Sequence, residues 1–95
     1  MVSHVVLFKM KEPVRENAEA VAERLRAMDG VVAGLDSIEV GVDENRGPRA
    51  FDLCLITRHA DSGALATYQA DEKHGEVKAF IGERTDGAAV VDFES

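Results

Sequence analysis

The sequence predicts a small α+β domain, residues 1–95, with the element order β, α, β, β, α, β, that works as a homodimer. Three observations support this prediction. A chain of 95 residues fits one domain with a modest core. Apolar residues alternate in four segments, as in strands, and recur at helical spacing between them. Two of the predicted strands are apolar on both faces, so one sheet face needs a cover that the chain itself does not supply.

The first half of the chain predicts a strand, a helix and a second strand. Residues 2–10 carry apolar side chains on both faces, and Pro13 ends the strand and sets the first turn of a helix from Val14. The helix ends at Asp29-Gly30, because glycine tolerates the left-handed conformation beyond a helix terminus. Its apolar stripe is Ala18, Val21, Ala22, Leu25 and Met28. Residues 35–43 alternate apolar and polar side chains, which indicates a strand with one buried face near a sheet edge.

A polar hairpin loop and a third strand follow. Residues 43–48 are polar and contain glycine and proline, which favours a turn. Residues 50–58 alternate again, with apolar side chains on both faces: Phe51, Leu53 and Leu55 on one, Cys54 and Ile56 on the other. Right-handed crossovers in each βαβ half then place both helices on one face of a four-stranded antiparallel sheet. The other face is the one that a second copy would cover.

The last third of the chain predicts a broken helical segment and a final strand. Residues 59–62 offer a helix cap, and the polar segment 71–73 divides the helical region into two pieces. The two pieces carry Leu65 and Tyr68, and His74, Val77, Phe80 and Ile81, respectively. Asp86-Gly87 predicts a turn, and residues 88–93 the last strand.

Charge and composition exclude several classes of partner. Eighteen acidic and eleven basic residues give a formal net charge of -7, whose field repels phosphate backbones and anionic membranes. The first residues lack the features of a signal peptide, and no apolar run approaches the roughly 20 residues that cross a bilayer. The single cysteine, Cys54, fits a small apolar filler on a buried strand. We expect a soluble cytoplasmic protein with no nucleic-acid or membrane partner.

The histidines give no sign of a metal or another cofactor. His4, His59 and His74 show no short ligand spacing and no accompanying cysteine cluster. We expect His59, at a strand end next to Asp61, to be solvated. The sequence therefore predicts neither a metal site nor a bound cofactor.

Five segments resemble landmarks of the stress-responsive dimeric α/β-barrel (Dabb) family. They are His4–Lys9, Ile38–Gly41, Phe51–Leu53, Leu65–His74 and Val90–Phe93, which together extend over nearly the whole chain. The resemblance implies a ferredoxin-like homodimer in which two four-stranded sheets face each other as an eight-stranded barrel. Activity varies in the family: most members have no assigned chemistry, one plant member is a stress protein, and another is a polyketide cyclase.

The resemblance to the cyclase implies a set of site residues. In that relative, a histidine early in the first strand, a tyrosine in the second helical region and a later histidine line a pocket. His4, Tyr68 and His74 stand at those positions. The implied chemistry is an intramolecular aldol condensation, with His74 as base and Tyr68 as its partner. The sequence departs from the cyclase at Leu53, in place of a further pocket histidine, and at Asp71-Glu72, in place of a His-Pro pair.

Three interpretations stay open. The first is a homodimer that binds a small apolar or aromatic ligand in a pocket lined by His4, Phe8, Tyr68 and His74. The second is an enzyme that cyclises or enolises a β-keto or phenolic compound with His74 and Tyr68. The third is a purely structural dimer, in which His4 is a core histidine and Tyr68 and His74 share a hydrogen bond. A cavity of about 300 Å³ or more, reached by His4 and His74, distinguishes the first two from the third.

Overall fold

The computed structural model describes residues 1–95 and places one four-stranded sheet against three helices. The elements are β1 (Val2–Met10), α1 (Val14–Arg26), β2 (Ser37–Val42), β3 (Leu53–His59), α2 (Ser62–Ala70), α3 (Glu72–Gly82) and β4 (Thr85–Glu94). The strand order is β2-β3-β1-β4, and every neighbouring pair is antiparallel. This arrangement confirms the ferredoxin-like βαββαβ prediction, with the second crossover divided into α2 and α3. None of the helices has the length and apolar character needed to cross a bilayer.

The two faces of the sheet have different surroundings. Alternate side chains of β1 and β3 point toward the helices and form the core with them. The core consists of Val6, Phe8, Met10, Ala18, Val21, Ala22, Leu25, Met28, Val32, Leu53, Leu55, Leu65, Tyr68, Val77 and Ile81. The opposite face, here called the open face, carries Val5, Leu7, Cys54, Ile56, Val91 and Phe93, all half-buried or exposed. The helices cover only one face, as predicted.

The start of α1 lies where the sequence predicts it, but its end does not. Pro13 is the N-cap, in extended conformation, rather than part of the first turn, and the Glu12–Pro13 peptide bond is cis. The helix ends at Arg26, earlier than the predicted Asp29-Gly30, and a series of turns follows. Within them Gly30 has φ 73°, so it does supply the left-handed residue that the sequence predicts.

Strands β3 and β4 differ from the predicted ranges for local reasons. β3 begins at Leu53 rather than at residue 50, because the Asp52 carboxylate accepts the Met10 N–H at 2.7 Å in place of a strand partner. β4 begins at Thr85 rather than Ala88. The pairing with β1 shifts between Lys9 and Met10, so the predicted turn at 86–87 is an irregularity inside the strand.

Asp71 divides the second crossover into two helices, which confirms the predicted break. Its side chain accepts hydrogen bonds from the backbone N–H of Lys73 at 2.8 Å and of Ala33 at 3.3 Å. The Lys73 N–H is the larger cause of a lowered pKa for this carboxyl. Asp71 therefore both caps α3 and ties it to the segment between α1 and β2.

Candidate functional site

A cavity of about 470 Å³ lies between α3, the end of α2, and strands β1 and β4. Its interior wall is apolar and includes Val6, Phe8, Leu25, Leu55, Val77 and Ile81. All four residues that the sequence analysis assigned to a pocket, His4, Phe8, Tyr68 and His74, line it. The volume exceeds the value of about 300 Å³ that separates the ligand-binding and enzyme interpretations from a purely structural dimer. Both His4 and His74 line the cavity.

Secondary structure explains why these side chains converge. His4 and Phe8 are four residues apart on β1, so they point to the same face of the sheet. His74, Val77 and Ile81 recur at helical spacing on α3 and face the cavity together. Tyr68 lies in the last turn of α2, and the break that follows brings its ring to 4.3 Å from the His74 ring, centroid to centroid.

Tyr68 carries a buried hydroxyl that lies beside the Thr57 side chain without a hydrogen bond of acceptable geometry. The side chain is 1% exposed, and its hydroxyl has no hydrogen-bond partner. Burial raises the pKa of Tyr68 to about 12, although the Thr57 side chain offsets part of the rise. At neutral pH the group is therefore a protonated phenol, and the residue that carries it lines the cavity.

His74 presents a second unsatisfied polar atom. Its Nδ1 is buried and has no hydrogen-bond partner. Burial lowers the pKa of His74, the charges of Lys78 and His4 add to the effect, and the Gln69 carbonyl and Asp71 oppose it. The imidazole is therefore neutral at pH 7. The hydrogen bond between Tyr68 and His74 expected under the structural interpretation is absent, and the two rings instead pack at an interplanar angle of 48°.

His4 is held by an acidic residue that the sequence analysis missed. Its Nδ1 lies 2.5 Å from Oδ1 of Asp92, its direct partner in the β1–β4 pairing. A carboxylate only accepts hydrogen bonds, so Nδ1 of His4 carries the proton. When the ring is neutral, Nε2 of His4 therefore has a free lone pair. One ring nitrogen thus has the cross-strand partner that a core histidine would have, yet the side chain also lines the cavity. An acidic side chain at an inward-facing position of β4 was the signal available in the sequence.

His59 is not solvated, and that prediction is wrong. The side chain is 0% exposed; Nδ1 donates to the Gly34 carbonyl at 2.6 Å, and Nε2 accepts from the Thr57 hydroxyl at 2.8 Å. Its ring centroid lies 4.9 Å from that of Tyr68. The alternation of β3 explains the error, since His59 shares the inward face of Leu53 and Thr57. His59 does not line the cavity but packs against Tyr68.

Cys54 and the remaining acidic groups lie outside this site. Cys54 is half-buried on the open face, where burial, with a smaller effect from Glu39, raises the pKa of its thiol. No group of three or more His, Cys, Asp or Glu side chains is placed to hold a metal ion.

The architecture defines a class of protein before any comparison is made. A four-stranded antiparallel sheet, covered by helices on one face and with a cavity between them, is a ferredoxin-like α+β domain. The family model of the stress responsive A/B barrel domain matches residues 2–95, and the chain belongs to that family. No curated protein sequence matches the chain.

Solved structures share this fold at low sequence identity. A dimeric ferredoxin-like protein of unknown function from Bacteroides fragilis has a TM-score of 0.87 and 22% identity, over 99% of this chain and 95% of that one. A dimeric ferredoxin-like protein of unknown function from Thermobifida fusca has a TM-score of 0.86 and 19% identity, over 99% and 90%. A hydroxynitrile lyase from Passiflora edulis has a TM-score of 0.81 and 13% identity, over 97% and 90%. At these identities the likeness shows the fold alone.

Proposed function

We propose that this protein is a homodimer that binds a small, mainly apolar or aromatic ligand bearing a carbonyl or phenolic oxygen. The observation that carries the proposal is the buried, unpartnered hydroxyl of Tyr68, a residue that lines a cavity of about 470 Å³. A buried polar group without a partner is costly, and few occur in native proteins. A ligand oxygen that accepts the Tyr68 O–H would satisfy it.

The composition of the cavity supports this ligand chemistry. The interior side chains are aliphatic or aromatic, which favours an apolar ligand body. The polar residues that line its interior are few: His4, Tyr68 and His74. The Tyr68 hydroxyl can donate, and Nδ1 of His74 and Nε2 of His4 can accept, once a ligand reaches them. This combination of an apolar wall with a few directed polar groups is typical of small-molecule sites.

Binding is tested with an aryl ketone, 4-butylacetophenone, by isothermal titration calorimetry. Tyr68→Phe removes only the hydroxyl, so we expect affinity to fall roughly three- to tenfold, the value of one neutral hydrogen bond. Thr67→Val is the matched control, because it removes a hydroxyl from the same helix that bonds to the Gly63 carbonyl instead. Equal affinity in wild type and Tyr68→Phe would reject recognition by the Tyr68 hydroxyl, and no binding of ketones, phenols or quinones at all would reject the proposal in favour of a purely structural dimer.

The open face supports the homodimer. Val91 is 62% exposed and Phe93 48% exposed, and they continue an apolar surface with Val5, Leu7 and Ile56. Monomers seldom expose a continuous apolar area of this kind. The sheet of a second copy has the matching surface, and two such sheets face to face give the eight-stranded barrel. The solved relatives from B. fragilis and T. fusca are dimeric, which agrees with this assembly.

Light scattering over a dilution series tests the dimer. Val91→Asp places a charge on the open face, and Val31→Asp is the control, since Val31 is 52% exposed in the turns after α1. We expect wild type and the control to be dimers at micromolar concentration and Val91→Asp to dissociate. A stable, folded wild-type monomer at that concentration would refute the assembly.

A second candidate function is an enolising or cyclising enzyme, and the neutral His74 beside Tyr68 favours it. In this chemistry His74 Nδ1 takes a proton from a carbon next to a carbonyl. The electron pair of that C–H bond forms the C=C bond of an enolate, and the π pair of the carbonyl moves onto its oxygen. The Tyr68 O–H stabilises the resulting enolate. The enolate carbon can attack a second carbonyl of the same molecule, and the proton on His74 then passes to the new alkoxide. His4, oriented by Asp92, would hold the ligand from the opposite wall.

Proton exchange tests this candidate without knowledge of the physiological substrate. The acetyl methyl protons of 4-butylacetophenone, next to the carbonyl, exchange with deuterium in D₂O, and NMR follows the exchange rate. We expect wild type to accelerate exchange, His74→Ala to lose the acceleration while remaining dimeric and folded, and Thr67→Val to retain it. Full acceleration by His74→Ala would show that His74 is not the base.

A further inference from the structure

The rim of the cavity, here its solvent-exposed lining, carries one cation on α3 and one anion on β4. Lys78 of α3 is exposed and lines the cavity, one helical turn beyond His74. Asp92 of β4 is the anion across the rim, and its side chain is 44% exposed. The two charges are therefore placed where part of a bound ligand would reach solvent.

Only one of these two charges has a partner within the protein. Asp92 is engaged by the imidazole of His4 at 2.5 Å. Lys78 forms no ion pair, although the chain has eighteen acidic residues and a net charge of -7. The positions three and four residues away on α3 are His74, Gly75, Ile81 and Gly82, none of which is acidic. The helix thus leaves this ammonium group without a local counter-charge.

We propose that Lys78 selects ligands that carry a carboxylate at the solvent end of their apolar body. This inference rests on the proposed function, because it names the chemistry of the ligand that the same cavity holds. The apolar body would lie against Val6, Phe8 and Val77, with an oxygen near the Tyr68 hydroxyl. The carboxylate would lie at the rim beside the Lys78 ammonium, where it keeps part of its hydration.

The charge balance of the rim favours a monoanion over a phosphate. Lys78 is the only basic side chain among the lining residues other than the histidines, and Asp92 lies across from it. A single carboxylate is matched by one ammonium group, whereas a dianionic phosphate would leave a negative charge facing Asp92. Gln69, exposed at the same rim, can donate a further hydrogen bond to a carboxylate oxygen.

The test compares 4-(4-acetylphenyl)butanoate with 4-butylacetophenone, two probes that share the aryl ketone and its four-carbon chain and differ only in a carboxylate at the far end of that chain. Calorimetry at about pH 8, where His74 is neutral, isolates the effect of Lys78. We expect wild type to bind the carboxylate probe roughly three- to fivefold more tightly than the uncharged ketone in low salt, as for a partly exposed ion pair. The preference should shrink as ionic strength rises from roughly 20 to 300 mM.

Variants separate this inference from the proposed function. Lys78→Met keeps the length of the side chain without its charge and should bind both probes equally, while Lys78→Arg should keep the preference. Lys73→Met is the matched control, since Lys73 lies on the same helix but reaches the Val31 carbonyl and does not line the cavity. Ketone binding that depends on Tyr68, with no preference for the carboxylate probe or with the same preference in Lys78→Met, would overturn the role of Lys78 alone. Failure of both probes to bind would overturn the proposed function.

Discussion

Replacing Tyr68 by phenylalanine should stabilise the free protein while it weakens ligand binding. The hydroxyl lies in a side chain that is 1% exposed and has no hydrogen-bond partner. The ring itself packs between the imidazoles of His59 and His74, with centroid distances of 4.9 and 4.3 Å. Phenylalanine keeps that ring and removes only the unsatisfied group.

The size of the effect follows from the cost of burying a polar group. A buried hydroxyl without a partner costs about 1–3 kcal/mol relative to water. Contact with the Thr57 side chain returns part of this, so we expect Tyr68→Phe to raise the free energy of unfolding by about 1 kcal/mol. For a domain of this size such a gain raises Tm by roughly 4–8 °C.

Urea titration and calorimetry at one fixed protein concentration measure the change, because the stability of a dimer depends on concentration. Thr67→Val, which removes a hydrogen-bonded hydroxyl, should show no such gain. If Tyr68→Phe instead lowered the free energy of unfolding by more than about 1 kcal/mol, the hydroxyl would have a hydrogen-bond partner in the free protein. The unsatisfied donor on which the proposed ligand chemistry depends would then not exist.

Three further predictions concern the surroundings of Tyr68. His59→Phe leaves the buried Gly34 carbonyl and Thr57 hydroxyl without their hydrogen-bond partner, and urea titration should show a free energy of unfolding lower by about 2–5 kcal/mol. A decrease under about 0.5 kcal/mol would contradict the structural role of these hydrogen bonds. Gly34→Ala places a Cβ 2.3 Å from a backbone oxygen of α2 at φ +79°, so it should unfold at clearly lower urea, whereas Gly82→Ala meets open space and should not. Burial lowers the pKa of His74 in the folded protein. Near and below the ordinary pKa of 6.5 the unfolded chain therefore binds more protons than the folded one, so the free energy of unfolding of the wild type should fall as pH falls from about 7. His74→Gln should lose less; parallel stability curves for the two would contradict this assignment.

Regular alternation was enough to predict most of the fold. The predicted strand over residues 2–10 and the predicted helix start at Val14 agree with the structure. In both elements the spacing of apolar residues fits a single period, that of a strand or of a helix, over many residues. The starts of β3 and β4 could not be predicted, since they depend on a side chain that replaces a strand partner and on a shift in register. Such tertiary details leave little trace in local sequence.

The candidate site was predictable only in part. Resemblance to a known family suggested His4, Tyr68 and His74, and the structure brings all three to one cavity. Asp92 was missed because its partner is 88 residues away in sequence, and only the register of β1 with β4 makes them neighbours. His59 was misjudged because its position next to a polar loop outweighed the alternation that places it in the core.

The central position of β1 has a consequence for how the protein is made. β1 pairs with β4, so residues 2–10 must wait for residues 85–94 before the sheet is complete. During translation the β1 edge that faces β4 stays unpaired until residues 85–94 have been synthesised, and long-range pairing of this kind slows folding. The cavity wall formed by β4 is therefore among the last parts to assemble. Nascent chains should depend on protection from aggregation over most of their synthesis.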